Sequence, residues 1–86
     1  MKLNKPYLIE WTDSAITPTL WEYRADLCDL KPVQCQTVGI LLEETDDHVT
    51  LALSVSQNQV CGRICIPKCA IRKPRRLRVR AERSKP

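Results

Sequence analysis

Eighty-six residues, 43% of them hydrophobic and none of them Phe, are expected to make one domain with a thin aliphatic core and exclude a large one; at this size folding hides only about 60% of the unfolded chain's surface. The net charge of +4 divides into a body, residues 1–71, with six basic against nine acidic side chains (net −3), and a tail, residues 72–86, with eight basic side chains against Glu82 (net +7). No segment approaches the roughly 20 apolar residues that cross a bilayer and "MKLNKPYLIEW" has no apolar signal core, so the chain reads as cytoplasmic, with no membrane partner.

In chain order, "YLIEWT" alternates good strand formers and predicts a first strand over residues 7–12. "DSAITPT" then supplies a turn. Thr17 before Pro18 has the form of an N-cap followed by proline at the first helical position. From there Leu20, Tyr23, Leu27 and Leu30 recur at helical spacing, with Glu22, Arg24, Asp26 and Asp29 mostly on the other side. A short amphipathic helix near 18–30, ending before Pro32, is the expectation.

"QTVGILLEETDDHVTLALSVS" has the form of a hairpin: an apolar run over 38–42, the polar turn "EETDDH", then Val49, Leu51, Leu53 and Val55 alternating with Thr50, Ala52, Ser54 and Ser56. After the turn "SQNQ", "VCGRICI" predicts another strand, stopped by Pro67 because proline has no N–H for a ladder. "KCAI" predicts a tight turn into a last short strand near Ile71. The sum is a mainly β domain over residues 1–71 with one short α-helix, its five or so bent antiparallel strands rolled into a small barrel that hides sheet edges. Residues 72–86 hold too few apolar side chains to fold alone and are expected as a basic C-terminal arm.

Two resemblances rest on these stretches. "IEWTDSA", the Trp at the start of the helix, "CQTVGILLEETDDHVTLALSVS" and "IPKCAI" together resemble a group of short hypothetical proteins of tailed bacteriophages and prophages, over nearly the whole chain. That implies a viral accessory protein in a bacterial host cell. Over residues 37–73, "VGILLEETDDHVTLAL" is similar to the first Sm motif and "IPKCAI" to the Lys-x-Ala-Ile tail of the bacterial Sm-like RNA chaperone, which implies a small Sm-like or SH3-like barrel. In that chaperone a Lys-His pair contributes to an RNA pocket; here Lys68 falls at the lysine position and Cys69 at the histidine position.

The five cysteines, Cys28, Cys35, Cys61, Cys65 and Cys69, are an odd number in a chain without a secretory signal, so a disulfide framework is not expected. Cys61 and Cys65 on a strand share a face but lie about 13 Å apart, too far to hold one ion. Cysteine is small and often buried, so core packing is expected, with no metal and no other cofactor. His48 lies in a polar turn without an orienting third group, which argues against Cys–His catalysis. Glu43, Glu44, Asp46 and Asp47 read as a solvated hairpin tip rather than a calcium loop. With only Gly39 and Gly62 there is no phosphate loop. The chain reads as non-enzymatic.

Trp11, taken to lie off the face of Ile9, and Trp21, beside the helical stripe, are expected to leave one or both rings partly exposed, the alternative being that both seal the helix onto the Phe-free core. With Asp13, Arg24 and Lys68 they form a candidate ligand site, since aromatic rings near an Arg stack bases or nucleotides. Arg72, Lys73, Arg75, Arg76, Arg78 and Arg80 form a candidate nucleic-acid site that holds phosphates without reading sequence. A solubilising tail, or docking of the tail on the acidic body of a neighbouring subunit, is the alternative use of that charge. "VCGRICI" is apolar on both faces, Val60, Ile64 and Ile66 on one and Cys61 and Cys65 on the other, while a small barrel has one interior; a homo-oligomer is therefore expected. Two functions stay open. One is an accessory binding module that modulates a host process by engaging a host protein or sequestering a nucleotide-like ligand. The other is an oligomeric Sm-like protein that binds RNA or single-stranded DNA through its basic arm.

Overall fold

The computed structural model describes residues 1–18 and 20–78. Within them five antiparallel strands, β1 (Pro6–Asp13), β2 (Val33–Glu44), β3 (His48–Val55), β4 (Val60–Pro67) and β5 (Ile71–Arg76), form one open sheet in the order β4-β3-β2-β1-β5. The mainly β expectation therefore holds. No pairing closes β4 onto β5 among the described residues, and the protein shows an open sheet where a closed barrel was expected.

The turns form where short polar side chains can replace ladder partners. Between β2 and β3, Thr45 N donates to His48 O at 2.9 Å, and Thr45 Oγ1 accepts from the N–H groups of Asp47 and His48. Between β3 and β4, Ser56 N donates to Gln59 O at 2.8 Å while Gln59 N donates to Ser56 Oγ.

Alternation along each strand puts one set of side chains inward. Tyr7 and Ile9 of β1, Leu41 of β2, Val49 and Leu51 of β3 and Ile66 of β4 make the core, with Trp11, Ile64 and Ile71 packed against it. Each fully buried aliphatic side chain contributes about 1.5–3 kcal/mol relative to exposure. Gly39 lies opposite Tyr7 on the inner face, and a Cβ there would stand 3.0 Å from both Ala52 O and Leu51 Cβ. Its missing side chain is what lets β3 cross β2 so closely.

Three sequence expectations give way here. The first is the helix near 18–30: that segment contains a single 3₁₀ turn, Arg24–Asp26, closed by Asp26 N on Tyr23 O at 3.0 Å. Leu20, Trp21, Tyr23, Leu27 and Leu30 are all exposed. A helix of about a dozen residues is marginal in water and forms when its apolar stripe has a surface to bury; among the described residues Leu20, Trp21, Tyr23, Leu27 and Leu30 bury against none.

The second is the end of the sheet. The basic stretch expected as an arm from residue 72 instead continues as β5 to Arg76, pairing with β1, and Leu77 N then donates to Pro6 O at 2.9 Å. Backbone pairing needs no apolar side chain, so a charged sequence can serve as an edge strand. Arg80 and the rest of the expected arm from residue 79 lie outside the described residues.

The third is the cysteines. Cys28, Cys61, Cys65 and Cys69 are exposed and Cys35 is half-buried. Ile64 and Ile66 occupy the inner positions of β4 opposite Leu51 and Val49, which leaves Cys61 and Cys65 on the outer face opposite Ser54 and Thr50. No helix among the described residues is long and apolar enough to cross a membrane.

Candidate functional site

A β-bulge decides the first cluster. The β2–β3 register shifts between Leu41 and Glu43, so that Leu41 faces Leu51 but Glu44 faces Val49. Glu44 thereby joins the inner side of the sheet at its rim. Its Oε2 accepts from Lys68 Nζ at 2.8 Å and its Oε1 from the Met1 α-amino group at 2.9 Å. Those hydrogen bonds, Lys68 first and the α-amino group second, hold the Glu44 carboxyl below its usual range.

Lys68 N also donates to Asp47 O at 2.8 Å, so the β2–β3 turn is tied to the 3₁₀ turn Lys68–Ala70. Asn4, at a left-handed φ of 62°, reverses the N-terminal segment so that its N–H reaches Leu41 O at 2.7 Å, and Lys2 N donates to Tyr7 Oη at 2.7 Å. Asn adopts that conformation more readily than most residues. The acidic tip is thus partly a structural lock: Glu44 is engaged, while Glu43 sits 3.1 Å from His48 Nε2.

Trp11 is half-buried, so partial exposure holds, but the face expected for it does not. Two residues from Ile9, it shares Ile9's face by the period of the strand. It packs against the core, and its Nε1–H donates to Thr37 Oγ1 at 2.9 Å. Trp21 behaves oppositely and is 93% exposed. With Glu22 and Tyr23 it lines an open cavity of about 460 Å³, and Arg24 follows in the 3₁₀ turn. Asp13 ends β1, where it accepts from Ser14 N at 2.8 Å.

The five candidate ligand residues are therefore dispersed. Trp11 seals the core, Lys68 holds Glu44, Asp13 caps a strand end, and only Trp21 and Arg24 share a segment. No hydrogen bond or ion pair joins any two of them among the described residues.

The basic candidates are held differently. A register shift between Glu10 and Trp11 leaves Arg72 as the extra residue of β5, and puts Lys73 opposite Glu10 and Arg75 opposite Leu8 on the outer face. Glu10 accepts from Gln36 Nε2 at 3.2 Å. Arg72, Lys73, Arg75 and Arg78 are exposed, whereas Arg76 is half-buried opposite Tyr7. The Arg76 Nε is buried without a hydrogen-bond partner. Pro74 lies in the middle of this run, opposite Ile9, a position an edge strand tolerates.

No group of three or more His, Cys, Asp and Glu side chains gathers among the described residues. Comparison with protein-family models, curated proteins and solved structures finds no match for the chain. The sequence reading missed Thr37, Glu44 and the strand character of 72–76. Counting parity from Ile9 would have placed Trp11 inward. The bulges that set Glu44 and Arg72 leave no such trace.

Proposed function

We propose that the protein is a non-enzymatic phage or prophage accessory protein, a homo-oligomeric binding module of the bacterial cytoplasm whose β5 edge holds the phosphate backbone of single-stranded RNA or DNA. One observation carries this reading. Arg72, Lys73 and Arg75 stand exposed on a backbone-paired strand, exposed Arg78 follows, and none of them takes part in an ion pair among the described residues. Cations on an ordered strand lose less entropy on binding than cations on a free arm. Phosphate contacts of this kind position a strand without reading its bases, and Trp21 and Tyr23 supply exposed rings for stacking.

An Sm-like or SH3-like barrel belongs to the same proposal. β4 and β5 are opposite edges of a five-stranded sheet, which if flat would stand about 19 Å apart. They are joined by Lys68–Ala70 alone. Four steps of chain span at most about 14 Å, and less in a 3₁₀ turn. The short link supports a sheet curled toward closure.

A second reading has its own observation. Leu20, Trp21 and Tyr23 form an exposed apolar run, which favours a module that grips a host protein or stacks a nucleotide-like ligand.

Fluorescence anisotropy with a labelled mixed-sequence single-stranded oligonucleotide tests the first reading. Log affinity should fall linearly with log salt, and the triple variant Arg72→Ala, Lys73→Ala, Arg75→Ala should reduce the slope by about 2, three contacts at about 0.7 each. An unchanged slope, or no binding by the full chain at low salt, refutes it. Binding lost in Trp21→Ala but kept in the triple variant favours the second reading.

A further inference from the structure

Two apolar surfaces lie uncovered among the described residues, and they complement each other. The first is the segment between β1 and β2. Leu20 is 98% exposed, Trp21 93% and Tyr23 82%, with Leu27 and Leu30 also exposed. Their spacing would gather Leu20, Tyr23, Leu27 and Leu30 on one side of a helix, flanked by Trp21. The second surface is the far end of the β3–β4 hairpin. There Leu53 is 71% exposed, Val55 42% and Val60 47%. Val55 and Val60 are directly opposite, and Leu53 Cβ would stand 3.0 Å from a Cβ on Gly62. Alternation places all three on the inner face, continuing the row of Val49, Leu51, Ile64 and Ile66. A shallow cavity of about 190 Å³, bounded by Val55, Gln59, Val60 and Cys61 among others, adjoins them.

The two surfaces also differ in charge. Residues 14–32 hold three acidic side chains against two basic ones, whereas residues 53–63 hold no acidic side chain and one basic one, the exposed Arg63 opposite Ala52. Arg63 gives Glu22, Asp26 or Asp29 a cation to meet beside the ribbon, and such complementarity orients docking.

We propose that segment 20–30 of one copy docks on the Leu53, Val55 and Val60 ribbon of a second copy, and reciprocally, in a closed two-fold dimer. This rests on the homo-oligomeric part of the reading above and specifies its contact. Docking supplies the apolar surface that the segment's helical spacing lacks in a single chain, so the segment folds as a helix when it docks. A two-fold axis makes each copy both donor and acceptor, leaving no unsatisfied surface to propagate. The area suffices: four aromatic rings bring roughly 600–1,000 Å², and the leucines carry the total past the approximately 1,200 Å² of a stable interface.

Sedimentation equilibrium of the full chain from about one to a hundred micromolar tests the proposal, with affinities expected in the range of a small interface. The wild type should form a dimer of twice 9.9 kDa. The double variant Trp21→Ala, Leu27→Ala and the single variant Leu53→Lys should each weaken dimerisation by roughly tenfold or more. All three side chains are exposed, so the sheet should stay folded, as far-ultraviolet circular dichroism can check. Mixing the two variants should restore a heterodimer through the one intact pairing. Dilution of the wild type to monomer should lower its helical signal.

A monomer at every concentration overturns the proposal, including one whose Trp21 emission is shielded by docking within its own chain. So does a dimer or ring that neither variant weakens. The triple variant of Arg72, Lys73 and Arg75 separates the two claims: it should keep the dimer mass while reducing the salt slope by about 2. Failure of the dimer with the slope intact leaves phosphate binding standing.

Discussion

The two ends of the β3–β4 hairpin carry the same alternating pattern and meet opposite fates. At the near end Val49, Leu51 and Ile66 are fully buried, with Ile64 packed against them. At the far end Leu53, Val55 and Val60 occupy the same face and are exposed. The difference lies in the neighbour. β2 pairs with β3 at Leu41↔Leu51 and Ile40↔Ala52 and no further toward Val55, so among the described residues the hairpin continues as a two-stranded ribbon with an uncovered inner side. A period of two tells which face a side chain takes; it says nothing of what covers that face.

Truncation is the most forceful way to break this comparison. Leu41→Ala should cost about 2–5 kcal/mol, through lost burial and an unfilled cavity, while Leu53→Ala should cost within about 0.5 kcal/mol in the monomer. Urea denaturation at submicromolar protein measures both. Equal losses would mean that the far end is packed after all.

The two glycines sharpen the same contrast between a crowded and an open position. Gly39→Ala pushes a methyl against the Ala52 carbonyl and should cost about 1–3 kcal/mol by overpacking. Gly62 has φ +66°, and its nearest neighbour is the exposed Leu53 side chain. Gly62→Ala should cost about 1–2 kcal/mol from backbone strain, and Leu53→Ala should not relieve it. If it does, contact rather than conformation sets the requirement at Gly62.

At the near end the Glu44 lock adds a pH dependence. Its carboxyl pKa is lowered on folding by Lys68 and the α-amino group. A depressed carboxylate contributes stability that is fully present above its unfolded pKa and is lost as pH falls through the folded value. Thermal unfolding should therefore shift down from neutral pH to pH below about 4, and Lys68→Ala should flatten that shift. The pair is partly exposed, so the effect should be small and weaken in salt. An identical pH profile in Lys68→Ala would remove Glu44 from the account.

The smallest expected effect is at β4's outer face. Cys61→Ser and Cys65→Ser should each change stability by no more than about 0.5 kcal/mol. Native protein should react with a thiol reagent at both positions. Slow labelling until denaturant is added would return these cysteines to a buried role.

Much of the sheet was legible from residue order. Alternation in "YLIEWT" and "HVTLALSV", Pro67 as a stop and the polar turns located β1, β3, β4 and the hairpin to within a residue or two. The candidate site was less legible. Trp11 and Trp21 belong to the same residue type, yet one donates to Thr37 inside the sheet and the other stands in solvent. Only the period of β1 distinguishes them, and parity is informative only once the strand is known to be paired on that face.

Composition, charge asymmetry, strand periodicity and turn chemistry were determined by the sequence alone, because they depend on residues a few positions apart. The tertiary structure decided what depends on distant partners. The bulges turn Glu44 inward and set Arg72 between paired positions. The basic 72–76 stretch became a strand because β1 offered it a backbone edge. The helical spacing of 18–30 shows one 3₁₀ turn and no longer helix among the described residues, because a short amphipathic segment folds against a surface and its apolar side chains bury against none there.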